Sequence, residues 1–111
     1  VSQKRKDRNS AEVIAAAFPM GSMTGAPKIK AMEIIEEFES NKRGIYSGAI
    51  GYFSPDGDFD LNVVIRSIFY DQKTGTLSFN VGSAITINAS PEAEYEECLL
   101  KAESMMKVLK G

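Results

Sequence analysis

With 111 residues, 43% hydrophobic and 25% charged, the chain has the size and composition of one ordinary globular domain. A net charge of −2, from 13 basic and 15 acidic side chains, gives no electrostatic footprint for nucleic acid, and no apolar run reaches membrane-spanning length. There is no histidine, so acid–base chemistry would fall to carboxylates, lysine, tyrosine or water; the single cysteine, Cys98, excludes an internal disulfide and fits a reducing cytoplasm.

The opening "VSQKRKDRNS" has neither an initiator Met nor the apolar core of a signal peptide, so the chain is expected to be a piece of something longer. Its basic cluster, Lys4 to Arg8, is interrupted by Asp7 and reads as a solvated surface turn more readily than as a binding patch. Asn9, three residues before Glu12, predicts a capping box, and the alanines that follow carry a helix up to Phe18. Pro19 to Gly25 is expected to be loop. Pro27 suits the first turn of a second helix, with Pro27, Ala31, Ile34, Ile35 and Phe38 as its apolar face and "ESNKRG" as its close.

The middle of the chain reads as β. "GIYSGAIGYFS" is a first strand turned by "PDGD", "LNVVIRSIFY" a second, and "TLSFNVGSAITI" a third after the hairpin loop "DQKTG". Strand alternation puts Asn62, Val64, Arg66 and Ile68 on one face of the second strand. Ser90-Pro91-Glu92 then opens a last helix whose apolar stripe is Tyr95, Cys98, Leu99, Ala102, Met106 and Leu109. The order α, α, β, β, β, α, with sequential antiparallel strands flanked by helices, is α+β.

Three features could carry chemistry. "GSMTGAPK", Gly21 to Lys28, looks like a phosphate loop, but its glycines are four positions apart, Gly25 is followed by Ala-Pro, and a helix rather than a strand precedes it. It is left as either a helix connector or a glycine loop that presents a helix N-terminus to an anion. Arg66 lies in an apolar strand and is expected to need a carboxylate, from a core salt bridge or from a ligand. Glu94, Glu97 and Lys101 share one face of the last helix, either as a solvated charged face or as carboxylates for Mg²⁺.

"FPMGSMTGAPKIKAMEIIEEFE", "RGIYSGAIGYF…DGDFDLNVVIRSI" and "FNVGSAITINASPEAEYEECLLKAE" together resemble the carboxyl-terminal part of the chorismate-utilising enzymes, from Phe18 onward. That family includes the component I proteins of anthranilate and aminodeoxychorismate synthases, isochorismate synthase and salicylate synthase. The resemblance implies that residues 1–111 are the C-terminal portion of a chorismate-binding catalytic domain, itself a larger two-sheet sandwich. "GSMTGAPK" then becomes a substrate-pocket loop for a dicarboxylate, with Ser22 and Thr24 lining it. Tyr46 and Arg66 are implied to hold the enolpyruvyl carboxylate of chorismate, and the turn from Gly82 to Ile85 to approach the ring carboxylate. Glu97 and Glu94 are implied as carboxylates around Mg²⁺, supported by Lys101.

The turn departs from the family's Gly-Ala-Gly: here it is Gly82-Ser83-Ala84, which adds a Cβ where backbone nears ligand. By the same resemblance the covalent lysine and the remaining Mg²⁺ carboxylates lie upstream. No catalytic residue is therefore assigned within this chain, which alone is expected to be inactive. Within the family, Ser22 before Thr24 is most like the aminodeoxychorismate branch, which aminates chorismate for 4-aminobenzoate and folate with ammonia from a glutaminase subunit. The alternatives are the anthranilate branch toward tryptophan, another chorismate-utilising enzyme, or a stand-alone binding domain.

Overall fold

The computed structural model describes residues 3–111. They form α1 (Ser10–Ala17), a 3₁₀ turn (Gly21–Met23), α2 (Lys28–Phe38), β1 (Ala49–Phe53), β2 (Phe59–Val63), β3 (Phe69–Asp71), β4 (Thr76–Ser78) and α3 (Pro91–Lys110). The fold is α+β, and the strands make two antiparallel pairs, β1 with β2 and β3 with β4. The chain divides into two compact units, one running up to Val63 and the other starting at Val64.

In the first unit the Lys4–Arg8 cluster is an exposed turn, closed on itself by the Arg5–Asp7 ion pair at 2.9 Å. The capping box forms as the spacing predicts. Glu12 N donates to Asn9 Oδ1 and Asn9 N to Glu12 Oε2, each at 2.9 Å. Helix α1 stops at Ala17, before Pro19, and Lys28 Nζ donates to the Ala17 carbonyl at 3.2 Å. That lysine satisfies a carbonyl the helix leaves open and places positive charge at its negative end. Pro27 is the N-cap of α2 rather than a residue of its first turn. In the β1–β2 hairpin Gly51 pairs with Leu61, and a Cβ on Gly51 would come within 1.9 Å of the Asp60 carbonyl oxygen, so no larger residue fits. "PDGD" turns the hairpin as predicted, with Ser54 N donating to Asp58 O at 2.8 Å.

In the second unit "DQKTG" joins β3 to β4. Lys73 N donates to Asp71 Oδ1 at 2.9 Å, and Gly75 N to Asp71 O at 2.8 Å. The Asp71 carboxyl is held below the usual range, chiefly by that Lys73 amide. Helix α3 starts as its sequence dictates: Ser90 is the N-cap, Pro91 follows, and Glu92 and Glu94 occupy the first turn, with Lys107 and Lys110 in the last. No helix among the described residues is long and apolar enough to cross a membrane.

The β region departs from the sequence expectation. The second strand does not run from Leu61 to Tyr70: β2 ends at Val63 and β3 begins at Phe69. Arg66 has φ +50°, a left-handed conformation that costs a side-chain-bearing residue energy and breaks a strand. Alternation therefore fails across it. Val64 is buried while Arg66 is exposed, so the expected buried guanidinium is not found. The third strand is short, Thr76–Ser78, and residues 79–89 are irregular, so a single three-stranded sheet is not present.

The helix stripes also bury less than their periodicity suggests. Along α3, Cys98 and Ala102 are half-buried, whereas Tyr95, Leu99, Met106 and Leu109 are exposed. Along α2, Ala31 and Ile35 are half-buried, whereas Pro27, Ile34 and Phe38 are exposed. Periodicity says which residues share a face. It does not say what packs on that face.

Candidate functional site

Of the polar residues singled out from the sequence, Glu94, Glu97, Lys101 and Ser83 come together in the second unit, while Arg66, Tyr46, Ser22 and Thr24 stand apart from them. In the second unit the cluster is built on the first half of α3. Glu94, Glu97 and Lys101, spaced three and four apart, project from one side of the helix toward the irregular segment at Gly82–Ser83. The Ser83 hydroxyl donates to the Glu94 carboxylate. Lys101 Nζ pairs with Glu97 Oε1 at 2.5 Å and donates to the Gly82 carbonyl at 2.9 Å. The Lys101 ammonium and the Lys101 charge, with a smaller contribution from Ser83, hold the Glu97 carboxyl below the usual glutamate range.

The departure at Ser83 thus has a structural role: its hydroxyl tethers the 82–83 segment to α3. Ala84, the next residue, is exposed and reaches none of these groups. Two glutamates supply the hard oxygen donors that Mg²⁺ takes, and Mg²⁺ is commonly held by one or two carboxylates with water or substrate completing the shell. Among the described residues no group of three or more His, Cys, Asp or Glu side chains gathers for a metal. The donor type of Glu94 and Glu97 fits Mg²⁺. Arg66, in the same unit, has no ion pair among the described residues and extends from the left-handed kink between β2 and β3.

In the first unit, Gly21–Met23 form the 3₁₀ turn at the start of "GSMTGAPK". The Thr24 hydroxyl donates back to the Met20 carbonyl at 3.0 Å, so it is engaged within the turn, while Ser22 is exposed. Tyr46 is half-buried in the turn that leads to β1, and its amide donates to the Arg43 carbonyl at 3.1 Å.

Arg43 is the residue that sequence reading missed. Its Nε donates to both Glu39 oxygens at 3.1 and 2.8 Å, and its Nη2 to Glu39 Oε1 at 2.5 Å. Its Nη1 donates to the Met23 carbonyl at 2.6 Å and to Ser47 Oγ at 3.4 Å. The hydrogen bonds that Arg43 donates to Glu39 raise the Arg43 pKa, with a smaller contribution from the Glu39 charge. The same bond lowers the Glu39 carboxyl. The available signal was the i,i+4 Glu39–Arg43 spacing inside "ESNKRG".

A cavity of about 160 Å³ in the first unit is lined by Val13, Ile14, Phe18, Phe59, Leu61 and Val63 among others. It is apolar, and none of the candidate site residues lines it.

The sequence pattern described as "chorismate binding enzyme" matches residues 1–107. The chain is 48% identical over 106 residues to the probable aminodeoxychorismate synthase, chloroplastic, of Oryza sativa subsp. japonica, covering 96% of this chain and 12% of the rice protein. It is 46% identical over 105 residues to the aminodeoxychorismate synthase of Streptomyces griseus, covering 95% of this chain and 14% of that protein. It is 38% identical over 109 residues to the anthranilate synthase component 1 of Aquifex aeolicus, covering 98% of this chain and 22% of that protein. The chain thus spans between 12% and 22% of the length of these relatives.

Proposed function

The chain belongs to the chorismate binding enzyme family, and from that premise we propose that it is part of an aminodeoxychorismate synthase component that aminates chorismate to 4-amino-4-deoxychorismate. The observation that carries this reading is the identity, 48% and 46% to two aminodeoxychorismate synthases against 42% and 38% to two anthranilate synthase components. The ammonia would come from a glutaminase component, and the setting would be cytoplasmic.

Chorismate is a dianion, and the second unit offers both kinds of group such a ligand needs. The Arg66 guanidinium, with no ion pair among the described residues, would present a planar fork of donors to one carboxylate. The backbone from Gly82 to Ile85 presents amides to the other. Mg²⁺, held by Glu97 and Glu94, would neutralise carboxylate charge and act as a Lewis acid toward the leaving hydroxyl. Lys101 keeps Glu97 ionised and anchors the Gly82 carbonyl, so it orients both the carboxylate and the turn. By the family resemblance Tyr46 would donate to substrate, and Ser22 and Thr24 would line the "GSMTGAPK" loop. In the amination itself a C–N bond forms as the 4-hydroxyl leaves, and the nitrogen gives up a proton.

The test is product identity. The complete gene product, incubated with chorismate, Mg²⁺ and ammonia, is expected to yield aminodeoxychorismate, which keeps the pyruvyl group. Anthranilate, which has lost it, would move the chain to the other branch.

A further inference from the structure

Arg43 makes hydrogen bonds in three directions at once. It grips Glu39 at the C-cap of α2, the Met23 carbonyl of the 3₁₀ turn, and the Ser47 hydroxyl beside Tyr46. The Met23 contact joins residues twenty apart in sequence, and Arg43 is only 24% exposed. Ser47 itself has φ +63°, an unfavourable backbone conformation for a residue with a side chain, so the turn carrying Tyr46 is held against its own preference. Nearby, Gly48 N donates to Ile45 O at 3.0 Å and Tyr46 N to Arg43 O at 3.1 Å, which makes the 43–48 turn tight.

We propose that Arg43 is a positioning residue: its guanidinium locks the Met20–Thr24 turn to the turn bearing Tyr46, and so sets the geometry with which "GSMTGAPK" and Tyr46 meet the substrate. The link to substrate rests on the function proposed above; the lock itself does not. A guanidinium suits the task because its fork is planar and carries five donors, so three acceptors are served without the side chain rotating. A lysine would keep the charge but offer one nitrogen, which cannot span the carboxylate, the carbonyl and the hydroxyl together. Thr24, tied back to Met20, and the Glu39 carboxylate make the two ends of the lock rigid.

The experiment uses the complete gene product and two readouts. Amide hydrogen exchange reads the lock without substrate. Arg43→Lys is expected to speed exchange at Met23, Thr24, Tyr46 and Gly48 by roughly tenfold, the size of one lost charge-assisted hydrogen bond. Exchange at Ile34 and Ile35, inside α2, is expected to stay unchanged. Unchanged exchange at the four turn amides overturns the proposal.

Steady-state kinetics reads the consequence. Arg43→Lys is expected to raise KM for chorismate roughly tenfold with kcat nearly constant, and Tyr46→Phe to add little in that background. Multiplying effects of the two substitutions would show that Arg43 does not act through Tyr46 and would overturn that part. A wild-type protein that does not consume chorismate defeats the proposed function, and exchange still decides the lock. Should Arg43→Lys not accumulate folded, Glu39→Gln, which loosens one anchor and leaves Arg43 in place, is expected to speed the same four amides by a smaller factor, and no change there overturns the lock.

Discussion

Arg43 and Lys101 are built into the two units in the same way. Each cation pairs with a glutamate four residues earlier, Glu39 or Glu97, and each donates to a distant backbone carbonyl, at Met23 or at Gly82. They differ in the head group. The Arg43 fork meets its carboxylate with two nitrogens and still reaches two further acceptors. The Lys101 ammonium is a single point that divides its donors between Glu97 and the Gly82 carbonyl and can swing. One arrangement suits a fixed scaffold. The other suits a carboxylate that is held ionised yet can be given up to a ligand. Arg66 is a third case, a cation with no ion pair among the described residues, raised on a strained kink.

The largest expected effect breaks the comparison at its third member. In the complete enzyme, Arg66→Ala is expected to lower kcat/KM by about one to two decades, mostly through KM, as befits a charge-assisted contact of roughly 1.5–3 kcal/mol. Wild-type kinetics with lost thermal stability would instead make Arg66 a structural residue. Next, Glu97→Gln is expected to raise the Mg²⁺ concentration for half-maximal activity by roughly tenfold, since a hard-cation site loses an anionic oxygen. Glu96→Gln is expected to leave it unchanged, because adjacent helical residues point about 100° apart. Lys101→Arg, which makes the second cluster resemble the first, is expected to shift the Mg²⁺ requirement in the same direction as Glu97→Gln. Metal titrations of activity for the three variants decide whether a releasable partner matters.

Ser90→Ala calibrates these effects. It removes the α3 N-cap and is expected to cost about 1 kcal/mol of stability in denaturant unfolding, with the Mg²⁺ requirement unmoved. The smallest effect is with pH. Arg43 holds the Glu39 carboxyl below the ordinary glutamate value of about 4.3. A carboxyl depressed in the folded state stabilises the fold above its unfolded pKa and loses that contribution as pH falls through the lower folded value. Wild type is therefore expected to be more stable than Glu39→Gln at pH 6, by less than about 1 kcal/mol because the Glu39 carboxylate is 40% exposed and solvent screens the pair, and the gap should close below about pH 4. A gap that persists at pH 3 would mean that Glu39 acts through packing. Glu97 has the same sign, its carboxyl being lowered chiefly by Lys101.

What could be read from the sequence was local chemistry. Asn9 with Glu12, Ser90 with Pro91, and the turns "PDGD" and "DQKTG" each act within a few residues, so their partners are written beside them. Glu94, Glu97 and Lys101 were also legible, because helical spacing alone puts them on one side. The tertiary structure decided what depends on distant chain. Alternation foretold a buried Arg66, but a left-handed backbone at that residue ends the strand and turns it outward. Nothing in "GSAITI" announces that Ser83 will meet Glu94 or that the Gly82 carbonyl will meet Lys101. Arg43 shows the same limit from the other side. Its pairing with Glu39 follows from spacing, whereas its grip on the Met23 carbonyl exists only because the chain folds back and brings a backbone oxygen twenty residues away to within 2.6 Å of its guanidinium.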